Sequence, residues 1–150
     1  MQRVSICLTA ATAAALLITC PEAAATSQTD LADWLSKAAG HVEAIHKAEN
    51  DAYSIMASRG QIDDDRLKVN CDQLRGATEG LRDVMPSPNP ALTAEVQQAI
   101  DNFDSASESC AEYFGVGDAD KLNEFWTRSR SGEQHLSSAD SIVVSLAQPQ

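Results

Sequence analysis

The chain has 150 residues, four cysteines and a formal charge of −11, and only 5% of its residues are aromatic. Such acidity repels phosphate backbones and anionic lipid surfaces, which argues against nucleic acid or a membrane surface as partner. No Gly-rich phosphate loop, Gly-x-Ser-x-Gly elbow, His-Glu-x-x-His or Cys-x-x-Cys-His run occurs, so no cofactor and no catalytic residue is expected.

Residues 1–25 read as a signal peptide: Arg3, an apolar run from Val4 to Ile18, then the small residues Ala23, Ala24 and Ala25. That run is shorter than the roughly 20 residues a membrane span needs, and no second run follows. The mature chain, 26–150, is therefore expected to be a single exported domain without a transmembrane segment, secreted or held in the cell envelope. Arg3 and Glu22 cancel, so removing the signal leaves the charge unchanged. Cys20 follows Leu17-Ile18-Thr19, a degraded lipobox, which makes a lipid anchor at Cys20 the alternative to cleavage after Ala25. With Cys7 gone and Cys20 removed or acylated, Cys71 and Cys110 are the pair left in an oxidising compartment.

Helical spacing then repeats four times. Thr29 or Asp30 is placed to cap a first helix with Leu31, Leu35, Ala38, Val42, Ile45, Ala52 and Ile55 on one stripe, ended by Gly60. Asp63, Asp64 and Asp65 open the second, where the helix dipole favours negative charge; their spacing does not match an EF-hand loop. Its stripe is Leu67, Cys71, Leu74, Thr78 and Leu81. The segment Met85-Pro86-Ser87-Pro88-Asn89-Pro90 forces a turn, and Asn89 with Pro90 starts the third helix. That helix carries Leu92, Val96, Ala99, Phe103, Ala106 and Cys110, and ends at Gly115 to Gly117. Asp118 or Asp120 starts the fourth, with Leu122, Phe125, Ser129, Gly132, Leu136, Ala139 and Val143 on its stripe. The pattern predicts an all-α, up-down-up-down antiparallel four-helix bundle. In such a hairpin Cys71 and Cys110 are equidistant from the proline turn, which predicts one inter-helix disulfide.

Three constellations are candidates for function. Counting levels across the turns puts the small residues Ser129 and Gly132 opposite Phe103, in a layer with Thr78: a filled layer, or the wall of a ligand cavity. The same counting brings His41 and His135 to the seam between the first and last helices, as a weak metal or pH-sensitive pair. Glu43 and His46 form a single Glu-x-x-His unit, and no second copy supports a di-iron site. On helix two, Lys68, Asp72, Arg75, Glu79 and Arg82 alternate in sign at steps of four and three, a solvated ladder or, through Lys68, Arg75 and Arg82, a partner face.

The run from Cys71 through Leu74, Leu81, the Met85 to Pro90 turn, Leu92-Thr93, Val96-Gln97 and Ala99-Ile100 to Cys110 resembles small exported proteins and lipoproteins of mycobacteria and related actinobacteria. The resemblance spans about 40 residues and implies an extracellular or envelope helical protein, with no activity attached. The sequence thus leads to an exported non-catalytic binding protein for an envelope protein or a small apolar ligand. A metal-binding or enzymatic bundle with a site between helices one and four, or a purely structural envelope protein, are the alternatives.

Overall fold

A computed structural model describes residues 27–57 and 62–148. The signal segment, Cys7, Cys20 and Gly60 lie outside these residues. Those described form four helices and no strand: α1 (Gln28–Ala57), α2 (Asp64–Asp83), α3 (Pro90–Val116) and α4 (Ala119–Ala147). None is long and apolar enough to cross a membrane.

Local chemistry accounts for the ends. The side chain of Asp63 accepts from the backbone N–H of Arg66 at the start of α2. Asn89 Oδ1 accepts from Ala91 and Leu92, and Pro90 sits where a missing N–H costs nothing. Gly117, at φ 70°, closes α3 in the left-handed conformation, its N–H donating to the Tyr113 carbonyl. Asp118 caps α4 through Asp120 N–H. At α1 the expected cap is corrected: the helix starts at Gln28, ahead of Thr29 and Asp30, and the Ser27 hydroxyl accepts from Asp30 at 3.4 Å.

Each helix packs on the next in the chain. Near the start of α1 the Trp34 indole N–H donates to the Val84 carbonyl just past α2, 2.8 Å away, satisfying a helix-end acceptor. The Cys71–Cys110 disulfide joins α2 to α3, with the Cα atoms 6.3 Å apart. An Arg82–Asp104 ion pair and a Tyr113–Asp64 hydrogen bond of 3.2 Å hold the same two helices farther along. Helices α3 and α4 pack most extensively, whereas α1 and α4 scarcely touch.

Burial shows why. On α4 Gly132 and Ser129 are buried, and a Cβ added at Gly132 would sit 2.7 Å from Cε1 and Cζ of Phe103. The ring fills the space that the glycine leaves, drawing α4 onto α3. On α1 the buried set includes Trp34 and Ala48, while Leu35 and Val42 are only half-buried, a departure from the expected stripe.

Two measurements test this packing. Replacing Cys71 and Cys110 together by serine should lower stability by about 2–4 kcal/mol, read from urea unfolding of the oxidised protein against the variant. Gly132→Ala should cost about 1–3 kcal/mol by overpacking, and should cost less in a Phe103→Leu background.

Candidate functional site: a cleft between α1 and α4

Because α1 and α4 meet so little, an apolar cleft of ≈ 580 Å³ opens between them. Trp34, Leu35, Ala38, Ala39 and Val42 form the α1 wall; Leu136, Ala139 and Val143 form the α4 wall; Leu81, Leu92 and Val96 make the floor. Apolar surface predominates in the lining, as is usual for small-molecule sites. Its polar groups are Glu43, His46, Glu133, Ser137 and Asp140, and no Lys or Arg lines it among the described residues. The cleft therefore ends in negative charge.

At that end α1 and α4 do touch. His46 and Glu49, three apart on α1, share one face of the helix, and Glu133 reaches them from α4. His46 Nδ1 lies 2.8 Å from Glu133 Oε1, the two side chains being 45% and 36% exposed. The contact has the distance of an ion pair without the alignment of a hydrogen bond, since buried Glu133 Oε1 pairs with no donor. Glu49 turns toward Glu133 and toward Ser129 on α4. Burial, and then the hydrogen bond and negative charge of Glu133, push the Glu49 carboxyl up to about 10, while the Ser129 hydroxyl pulls the other way. Glu49 thus keeps its proton at neutral pH. One turn further along α1, the Tyr53 ring stands edge-on to Trp126 of α4, centroids 6.2 Å apart.

The residues singled out from sequence fall elsewhere. His41, half-buried, lays its ring on Gly80 of α2, in space that any side chain at that position would need. His135 Nδ1 lies 2.8 Å from Glu95 Oε2 of α3. Each histidine thus engages a different neighbouring helix. Thr78, Phe103, Ser129 and Gly132 are buried in the core and none lines the cleft. Thr78 donates to the Leu74 carbonyl at 2.8 Å. On α2 the expected ladder forms only in part: Arg75 pairs with Asp72 at 2.7 Å, but Arg82 reaches across to Asp104 of α3. Lys68 borders a hollow with Arg75, Ser107 and Phe114 beside the disulfide.

The cluster of His46, Glu49 and Glu133 was not anticipated. Its sequence signal is His-x-x-Glu on α1, the reverse of the Glu-x-x-His unit considered above, with Glu133 at the matching level of α4. No protein-family model matches the chain, and neither a curated protein nor a solved structure does so. Function must be read from the site itself.

The raised Glu49 pKa has a measurable consequence. Between the ordinary carboxyl range and about 10 the folded chain holds a proton at Glu49 that the unfolded chain has lost. Stability should therefore be fullest at acidic pH and fall as pH rises through that window. Glu49→Gln keeps the neutral shape without the proton. In chelator-containing buffer its urea midpoint should vary less with pH than that of the wild type, and should exceed it at pH about 9.

Proposed function

We propose that this is an exported, non-catalytic binding protein whose α1–α4 cleft takes up a small uncharged or cationic amphiphile. The observation that carries the reading is the cleft itself: ≈ 580 Å³ of apolar space with an acidic end. Its size falls within the range of about 300–1,000 Å³ typical of small-molecule sites. Half-buried Leu35, Val42 and Val143 would gain burial against an aliphatic chain. Glu43 and Glu133 would accept hydrogen bonds from a hydroxyl or ammonium head and would repel a carboxylate or phosphate.

Several features accompany this reading. The signal-like residues 1–25 and the resemblance of the Cys71 to Cys110 segment to exported actinobacterial proteins support a secreted or envelope location. A covalent clamp between helices suits an oxidising compartment. The antiparallel up-down-up-down arrangement proposed for the chain makes α1 and α4, its first and last helices, the seam where a cleft can open without breaking a tight turn. The α2 face supports a protein partner less well, because Arg75 and Arg82 already hold carboxylates.

A neutral solvatochromic dye such as Nile red tests the proposal. It should bind saturably, be displaced by a monoacylglycerol or an alkylammonium, and be displaced far less by the fatty acid of equal length. Ala39→Trp, at an exposed position on the cleft wall, should weaken dye binding at least about tenfold, with little change in thermal stability. Dye binding that ignores Ala39→Trp would place the apolar surface elsewhere, and preference for the fatty acid would refute the role of the acidic end.

A further inference from the structure

The geometry points to a binding site for one first-row divalent metal ion, such as zinc, held by His46 and Glu49 of α1 and Glu133 of α4. One ligand atom from each lies within 4.8 Å of the other two. An ion with bonds of about 2.1 Å holds its ligands within about 4 Å of one another, so small side-chain rotations suffice. The donor set is one imidazole and two carboxylates, Glu49 giving up its proton to solvent as the ion enters. Imidazole selects against calcium and magnesium, which take oxygen ligands, and the absence of thiolate selects against copper(I). Three protein ligands leave a zinc position open, as in sites that bind a further molecule.

Polar atoms at this spot lack the partners that an ordinary ion pair would give them. Glu49 Oε2 and Glu133 Oε1 are buried and, apart from the contact of the two carboxyl groups with each other, neither accepts an aligned hydrogen bond from another of the described residues. A third observation comes from Ser129, which is only 1% exposed and whose hydroxyl likewise makes no aligned hydrogen bond. Other buried helical hydroxyls of this chain turn back on the preceding turn, as Ser107 does to the Phe103 carbonyl at 2.9 Å and Ser109 to the Ser105 carbonyl at 3.0 Å. Ser129 instead faces Glu49. A hydroxyl so placed can donate to the outer oxygen of a metal-bound carboxylate, the outer contact that orients such ligands. Among the described residues no Lys or Arg pairs with either glutamate; the nearby Lys47 is taken by Asp51, at 2.5 Å. A dication would add positive charge where, among the described residues, only a protonated His46 can otherwise offer it.

The site stands independently of the amphiphile reading, because zinc titration without amphiphile reads it alone. Calorimetric titration of the chelator-stripped, oxidised protein with Zn²⁺ should saturate at one ion per chain. His46→Ala and Glu133→Gln should each weaken binding at least about tenfold, whereas the His41→Ala, His135→Ala double variant should bind as the wild type does. NMR of the wild-type histidine rings needs no variant to fold: Zn²⁺ should shift His46 and leave His41 and His135 in place. Absence of saturable binding at millimolar Zn²⁺ would overturn the assignment. So would an unmoved His46 ring, or affinity that survives in both His46→Ala and Glu133→Gln.

Discussion

A phenylalanine ring seated on a glycine sets the asymmetry of this bundle. Phe103 occupies the space where a side chain at position 132 would project, so α4 comes close against α3. Large side chains on α4 are then buried, Phe125 in the common core and Leu136 on the wall of the cleft. Helix α1 is secured instead by α2, through the Trp34 to Val84 hydrogen bond and the seat of His41 on Gly80. Two helix pairs result, α1 with α2 and α3 with α4. The Cys71–Cys110 disulfide and the Arg82–Asp104 pair tie one to the other across α2 and α3. Between α1 and α4 the described contacts gather at one end, at His46, Glu49 and Glu133 and at the Tyr53–Trp126 pair, and the cleft opens along the rest of that seam.

The seam also holds the least comfortable chemistry in the molecule. Burying two carboxyl groups side by side is unfavourable, because desolvation and mutual repulsion both oppose charge there. An aliphatic pair at positions 49 and 133 would seal α1 onto α4 with less difficulty. Half-exposed His46 is a polar neighbour that does not align well enough to resolve the conflict. Local rules that agree everywhere else in a sequence and disagree in one place mark that place as functional more often than as accidental.

What could be read in the sequence follows from how local each determinant is. Asp63, Asn89 with Pro90, Gly117 and Asp118 mark helix ends through contacts with their own next few residues, so the boundaries of α2, α3 and α4 were legible. The disulfide was legible because the two cysteines stand about equally far along the chain from the proline turn. The α1 stripe was less so: Trp34 and Leu35 are adjacent, and only the crossing of α1 over its neighbours decides that Trp34 is buried while Leu35 faces the cleft. Histidine placement failed to show for a related reason. Level counting treats every seam as equally closed, yet the His41 ring goes to α2 because Gly80 leaves room there, and His135 goes to α3 because Glu95 meets it. Arg82 likewise left its own helix for Asp104, a choice that side-chain reach and the closeness of α3 make and that helical periodicity does not encode.

The cleft and the polar cluster can be understood as one arrangement. Ala38, Ala39 and Ala139 face the space between α1 and α4, and small residues on facing helices normally let them approach closely. Here they do not, because bulk stands at both ends of the seam. At one end Trp34 is held by its hydrogen bond to the end of α2, and its indole occupies part of the gap. At the other stand Glu49, Glu133 and the edge-on pair Tyr53 and Trp126. Between these spacers the alanines cannot meet, and the space they leave stays apolar along its walls and acidic where the spacer is a glutamate. An ion drawn to His46, Glu49 and Glu133 would tighten one of those spacers and, through the same two helices, would bear on the width of the cleft.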